Sequence, residues 1–117
     1  MTPQSRQFML TAAWLFARHG RPRRARVIVE ALVEDDPTDG VAAAALAELL
    51  LSAGEGASAL KVLAAADFPS ELSRAEAILE TRALAMTGRK DDSERRWQRY
   101  LASQKGSERS WVEEKRG

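Results

Sequence analysis

Three glycines, Gly20, Gly54 and Gly88, stand 34 residues apart. The residue classes around them recur as well. Five residues after each glycine comes a small residue, nine after comes a large or branched apolar residue, and four before comes a large apolar residue. In chain order these are Ala25, Ala59 and Ser93, then Val29, Leu63 and Trp97, then Phe16, Leu50 and Leu84. Periods of 20–50 residues are typical of repeat proteins, in which each unit buries its apolar face against the next.

The repeated unit is predicted to be a pair of helices joined at the glycine. Apolar residues before each glycine follow helical spacing, as in Leu46, Leu49 and Leu50. Glycine readily takes the left-handed conformation that ends a helix, and Pro22 suits the first turn of the next one. The six predicted helices span residues 5–19, 22–35, 39–53, 55–66, 71–87 and 91–104.

Polar residues at the predicted helix starts are expected to cap them. Thr38 or Asp39 is the expected cap of the third helix and Ser70 that of the fifth. Asp91 and Asp92 are expected to cap the sixth. The prolines in "DDPTD" and "DFPS" are expected to end the second and fourth helices.

Composition fits one ordinary globular domain. The chain has 117 residues, 44% of them hydrophobic, and a net charge of +1, so its bulk charge does not draw it toward nucleic acid or anionic membranes. The absence of cysteine excludes disulfides, thiolate metal sites and a cysteine nucleophile. No apolar run approaches the roughly 18 residues of a membrane span, and no secretory signal is recognised at the N-terminus, so we expect a cytoplasmic protein without membrane partners.

The 34-residue period, with a glycine in the turn, a small residue five later and a proline at the end, resembles the tetratricopeptide repeat (TPR). The resemblance predicts an all-α solenoid of three repeats, at about 6–39, 40–73 and 74–105, followed by a polar tail or capping segment at 106–117. The first repeat resembles the family most closely. The third departs from it, because Glu80 replaces an apolar residue, Ser93 replaces the usual alanine and no proline follows.

By length and repeat number, the chain also resembles the small TPR chaperones of bacterial type III secretion. The resemblance implies a chaperone or adaptor that binds an amphipathic helix of a client protein, and it is compatible with a hetero-oligomer that includes a second small protein. A general TPR assembly adaptor is the alternative within the same class.

In the TPR family, the first helix of each repeat lines a concave surface that holds the partner. Carried onto this sequence, the family positions predict a mostly apolar groove formed by Leu10, Trp14, Ala17, Val41, Ala44, Ala45, Glu48, Leu51, Ala75, Ile78, Leu79, Arg82 and Met86. Any one of these residues can instead belong to the core. Trp14 is the only aromatic residue in the set, so it is the expected anchor of a partner helix.

No set of residues indicates catalysis, a cofactor or a metal ion. His19 is the only histidine and is expected to be structural. Glu76 and Glu80 lie four residues apart and are interpreted as a solvated helix face or a repeat edge. Phosphate-binding loops and nucleophile motifs are absent from the sequence. We therefore expect a protein that is not an enzyme.

Five arginines crowd the stretch "RHGRPRRARV", from Arg18 to Val27. The matching stretch of the second repeat, "GEGASAL", has no arginine, and the third, "GRKDDSERR", mixes bases with acids. The arginines thus form no continuous stripe and no aromatic residues alternate with them. We interpret them as a solvated turn, and a basic patch that binds nucleic acid remains the alternative from a different class.

Overall fold

The computed structural model describes the backbone of residues 1–116 and the side chains of residues 1–106. Its elements are α1 (Pro3–Arg18), α2 (Pro22–Asp35), α3 (Gly40–Ser52), α4 (Gly56–Ala65), a 3₁₀ turn (Ser70–Leu72), α5 (Ser73–Met86) and α6 (Lys90–Arg116). Consecutive helices pack on each other along the whole series. The predicted all-α solenoid of TPR-like helical repeats is confirmed.

The same turn joins the helices of each pair. Gly20, Gly54 and Gly88 have φ of 72°, 79° and 83°, the left-handed conformation that ends a helix. In each turn, the N–H of the residue that follows the glycine donates to the carbonyl of the residue four positions before the glycine. The three donor–acceptor pairs are Arg21 to Phe16 at 2.8 Å, Glu55 to Leu50 at 2.8 Å and Arg89 to Leu84 at 2.9 Å. This is the hydrogen bond of the Schellman motif. The apolar residue four before each glycine therefore marks the last turn of the first helix.

Small residues allow the paired helices to approach closely. Ala25 and Ala59 are fully buried, and Ser93, at the equivalent place in the third pair, is 7% exposed. The Ser93 hydroxyl donates a hydrogen bond of 2.8 Å to the carbonyl of Thr81 on α5. A buried hydroxyl is costly unless it is bonded, so this bond explains why serine can replace alanine here.

The start of α3 lies against the chain segment that leads into α5. The Asp67 N–H donates to the Thr38 carbonyl at 2.9 Å. A side chain at Gly40 would place its Cβ 2.6 Å from the Asp67 carbonyl oxygen, so only glycine permits this approach. Asp39 caps α3, since its carboxylate accepts from the Ala42 N–H, as expected for one of the two candidate caps.

Three predictions about helix ends are wrong. Ser70 does not cap α5, because it starts the 3₁₀ turn and α5 begins three residues later. Asp91 and Asp92 lie inside the first turn of α6 rather than before it. That helix also continues past the predicted end at 104, to Arg116, so the backbone of residues 106–116 extends α6. The side chains of the tail, including Trp111, lie outside the described residues.

The core runs between the two layers of helices. Leu46, Leu50 and Leu63 are 3–5% exposed and belong to one continuous cluster that draws on α1 to α5. Among the first helices of the pairs, α3 packs directly on α5, whereas α1 and α3 make little backbone contact. Within the described residues, no helix is both long and apolar enough to cross a membrane.

Candidate functional site

Equivalent positions of successive repeats form rows along α1, α3 and α5, the helices of the predicted concave face. Six residues before the turn glycines lie Trp14, Glu48 and Arg82, and ten residues before them lie Leu10, Ala44 and Ile78. The first row is exposed and the second is half-buried. The predicted partner-binding residues of these two rows therefore share one face of the molecule.

An open groove of about 360 Å³ lies between α1 and α3. Leu10, Trp14 and Val41 supply its apolar lining, together with Arg6, Gln7 and Thr11. Trp14 is 57% exposed and Val41 is 43% exposed. The groove is open because α1 and α3 make little direct contact. Three of the predicted site residues are thus brought together in one accessible, mainly apolar surface.

Two arginines border this groove. The Arg18 guanidinium lies 5.0 Å from the centroid of the Trp14 ring, a geometry that fixes the ring and places a positive charge beside it. At the other end, the Arg6 Nε and Nη2 atoms donate to the two carboxylate oxygens of Asp39 at 2.5 and 2.8 Å. The Arg6 hydrogen bonds lower the pKa of Asp39, although its burial acts in the opposite direction. This pair ties α1 to the start of α3.

The junction between α3 and α5 is closed instead. Arg82 donates to Glu48 Oε2 at 2.9 Å across it. Beneath that ion pair Leu51 and Leu79 are 3% and 5% exposed, and both belong to the core. The structure therefore does not place these two leucines on an open groove as expected, because direct packing of α3 on α5 covers them.

The other predicted groove residues differ in their surroundings. Ala44 and Ala45 are half-buried and pack on the core cluster, and Ala75 and Ile78 on α5 are half-buried as well. Ala17 is exposed, but it does not line the α1–α3 groove. Met86 is 45% exposed and lies at the end of α5, beside Gly56 of α4. A Cβ atom added at Gly56 would lie only 3.1 Å from the Cβ atom of Met86. Met86 thus contacts the start of α4 rather than the groove.

The arginine cluster is partly structural. Arg26 donates to Glu30 at 2.6 Å and to both carboxylate oxygens of Glu55, so it links α2 to the residue before α4. These bonds raise the pKa of Arg26 and lower that of Glu55. Arg24 lies over the Phe16 ring at 5.8 Å from its centroid. Together with Arg18, which lies over Trp14, three of the five clustered arginines make internal contacts, which weakens the case for a phosphate-binding patch.

Glu76 and Glu80, expected on a solvated face or at a repeat edge, lie where the second and third repeats meet. Glu80 Oε2 lies 3.1 Å from Arg96 Nε, and the Arg96 side chain is only 11% exposed. Both glutamates line a cavity between α4, α5 and α6 rather than an open surface. Trp97 is half-buried, unlike its repeat equivalents Val29 and Leu63 in the core, and its ring centroid lies 5.3 Å from that of Tyr100. The third repeat therefore contains a charged region that the sequence analysis missed.

Comparison with known proteins identifies the repeat. A family model described as "Tetratricopeptide repeat" matches residues 16–71. The match runs from the end of α1 to the 3₁₀ turn, so it covers the turn glycines Gly20 and Gly54 and all of α3, which forms one wall of the groove. A comparison with curated protein sequences finds no match.

Proposed function

Since residues 16–71 match the tetratricopeptide repeat, whose repeats indicate a protein–protein interaction module, we propose that the chain binds one amphipathic helix of a client protein. The helix occupies the α1–α3 groove and continues along the exposed row of Trp14, Glu48 and Arg82. The observation that carries this proposal is the accessible apolar lining formed by Leu10, Trp14 and Val41.

The shape and chemistry of the groove favour a helix with large apolar side chains. A cleft of about 360 Å³ lies within the size range of small binding pockets. Helix-in-groove recognition relies on apolar anchors at i, i+3, i+4 and i+7, and these side chains enter such clefts. Because Trp14 is exposed in the free protein, a bound helix would remove a large aromatic surface from water.

Charges beside the groove predict the polar residues of the client. Arg18 lies over Trp14 and makes no ion pair among the described side chains. Arg6, in contrast, is bound to Asp39 by two hydrogen bonds. An acidic residue of the client would therefore pair with Arg18, one helical turn from the apolar side chain that contacts Trp14.

The finer proposal is a cytoplasmic chaperone of the type III secretion kind. Such a protein would cover the apolar face of an export subunit that otherwise self-associates, and a second small protein would complete the complex. The accessible apolar groove between α1 and α3 supports this assignment. A general TPR assembly adaptor would use the same groove for a client outside secretion.

Site-specific crosslinking identifies both the client and its place of binding. The photoreactive amino acid p-benzoylphenylalanine replaces Val41 in the groove or, as the control, Val27 on α2, which is 67% exposed and outside the groove. The tagged protein is irradiated in cells of its source, and the crosslinked peptide is sequenced by mass spectrometry. We expect position 41 to capture an amphipathic helical segment of one protein and position 27 to capture little or none of it.

Two outcomes would contradict the proposal. Equal capture of the same segment from positions 41 and 27 would show that the groove is not the contact. Capture of a segment without helical apolar spacing would contradict the expected form of the client. If a client is captured and its gene lies outside a secretion system, the adaptor replaces the chaperone and the groove assignment stands.

A further inference from the structure

A cavity of about 730 Å³ opens between α4, α5 and α6. We propose that this α4–α6 cavity is a second binding site, for a single carboxylate carried on an aliphatic body. It shares no lining residue with the α1–α3 groove, so the proposal is independent of the client helix.

The aliphatic part of the ligand has a surface to contact. Leu60 and Leu63 of α4 and Leu84 of α5 line the cavity, together with Ala64 and Ala66. Leu63 and Leu84 are 5% and 6% exposed, so they contribute only their cavity-facing edges, while Leu60 is half-buried. Such a floor excludes water from an apolar ligand but offers nothing to a fully polar one.

The carboxylate has arginines to bind it. Arg89, Arg95, Arg96 and Arg99 all line the cavity, against three acidic residues, Glu76, Glu80 and Asp92. The charged lining therefore carries one more positive than negative charge. Arginine is suited to this role because its planar guanidinium can hold both oxygens of a carboxylate.

The ion pairs within the cavity neutralise its four arginines to different extents. Asp92 accepts hydrogen bonds from Arg89, at 2.9 Å, and from Arg95, and these bonds lower the pKa of Asp92. One carboxylate thus serves two guanidinium groups. Arg96 is paired with Glu80 at 3.1 Å. Among the side chains that the structure describes, Arg99 makes no ion pair, so it is the group most available to a ligand.

The charged pair in the cavity lining has no counterpart in the second repeat. Eight residues before and after Gly88 lie Glu80 and Arg96, and the corresponding residues around Gly54 are Leu46 and Val62. In the second repeat both belong to or pack on the apolar core. A half-buried ion pair is not needed for stability, since apolar residues of similar size serve as well or better. The charged pair of Glu80 and Arg96, in place of the apolar pair of the second repeat, is what a polar binding site requires.

The acids in the lining favour a monoanion. Glu76, Glu80 and Asp92 would repel a doubly charged phosphate more strongly than a carboxylate, and inorganic phosphate would leave the leucine floor uncovered. A carboxylate on an aliphatic body matches both the single excess charge and the floor. Two sources share this chemistry, namely a small aliphatic acid and a glutamate flanked by leucines in a protein segment.

A titration followed by NMR tests the proposal on the whole chain. Octanoate is added to ¹⁵N-labelled protein, and so, separately, is a capped leucine–glutamate–leucine peptide. We expect saturable shifts of the amides of Leu60, Leu84 and Arg99, and weak or no shifts with octan-1-ol or inorganic phosphate. Arg99→Gln should weaken binding about tenfold, as the loss of a charge-assisted hydrogen bond predicts. The matched control Arg74→Gln removes an exposed arginine of α5 outside the cavity and should not weaken it.

The outcomes separate cleanly. Saturable shifts at the cavity with either probe, weakened by Arg99→Gln alone, support the site, and the tighter probe identifies the source. The proposal would be overturned if the shifts were confined to the α1–α3 groove or if neither probe bound. It would also be overturned if Arg99→Gln and Arg74→Gln had equal effects, or if octan-1-ol bound as tightly as octanoate. Arg99→Lys keeps the charge without the planar guanidinium and should weaken binding less than the glutamine variant.

Discussion

The two junctions between the first helices of the repeats differ in how closely the helices pack. Between α1 and α3 the helices make little backbone contact and leave Leu10, Trp14 and Val41 around an open groove. Between α3 and α5 the helices pack directly, and Leu51 and Leu79 are covered. One solenoid thus uses one junction for its core and leaves the other open.

The exposed residues over the two junctions differ as well. Six residues before the turn glycine, the first repeat has Trp14, while the next two have Glu48 and Arg82, which bond to each other at 2.9 Å. A charged pair can bridge two adjacent helices, whereas an exposed tryptophan has no partner on the next repeat. Apolar surface that is left uncovered is the kind of surface that binds a partner.

The largest effect on folding is expected beneath the closed junction. Leu51→Ala should lower the free energy of unfolding by about 2–5 kcal/mol, because it leaves a cavity in a packed core. Leu10→Ala is the matched variant at the open junction, where the side chain is half-buried, and it should cost at least about 1 kcal/mol less. Urea unfolding of both proteins measures the difference. Equal losses would mean that the groove is as tightly packed as the core.

A smaller effect is expected where the open junction is tied together. Asp39→Ala removes both the cap of α3 and the partner of Arg6, and should cost about 1–3 kcal/mol of unfolding free energy. Thermal and urea unfolding at neutral pH measure this loss. A cost within about 0.5 kcal/mol of zero would show that Arg6 and Asp39 do not hold α1 against α3.

The same pair predicts a pH dependence. Because its hydrogen bonds with Arg6 lower the folded-state pKa of Asp39, the stabilisation is fully present above the unfolded value of about 4. It is lost as the pH falls through the lower folded-state pKa. The stability difference between the parent and Asp39→Asn should therefore shrink as the pH is lowered below about 4. A difference that stays constant over this range would contradict the assignment.

The smallest folding effect is expected at the ion pair over the closed junction. The side chains of Arg82 and Glu48 are 44% and 53% exposed, and exposed pairs contribute about 0–1 kcal/mol. Glu48→Gln should change the unfolding free energy by no more than this. Measurement at low and high salt sharpens the test, since any contribution should decrease with salt. A larger loss would mean that the pair, rather than the leucines beneath it, closes the junction.

The fold could be predicted from the sequence because the turn between paired helices requires particular residues within one short stretch of chain. Glycine at a left-handed position and a small residue where two helices meet can each be recognised from one stretch of chain, and Gly20 and Ala25 occupy those places in the structure. Ser70 shows where such local rules fail. The segment before α5 is held by a tertiary hydrogen bond, from the Asp67 N–H to the Thr38 carbonyl. Such a contact between distant parts of the chain is not visible to local sequence rules, and Ser70 starts a 3₁₀ turn in this segment rather than capping α5.

The site was only partly predictable. Of the residues at the family positions, Leu10, Trp14 and Val41 lie on the open groove. The family positions could not distinguish an open junction from a closed one, so the buried Leu51 and Leu79 were included as well. One available signal was missed. Glu48 and Arg82 have opposite charges and lie one 34-residue period apart, and equivalent positions of adjacent repeats are neighbours in a solenoid.

Two aromatic residues of α1 test directly whether the open α1–α3 groove holds the client. Trp14 lines the groove, and Phe8, 74% exposed on the same helix, does not. With the client helix obtained by crosslinking, isothermal titration calorimetry should show that Trp14→Ala weakens binding by about 2 kcal/mol, or about thirtyfold. Phe8→Ala should leave the affinity within about threefold of the parent, a change of less than 1 kcal/mol. Unchanged binding by Trp14→Ala, or an equal loss from both substitutions, would contradict the claim that the α1–α3 groove holds the client.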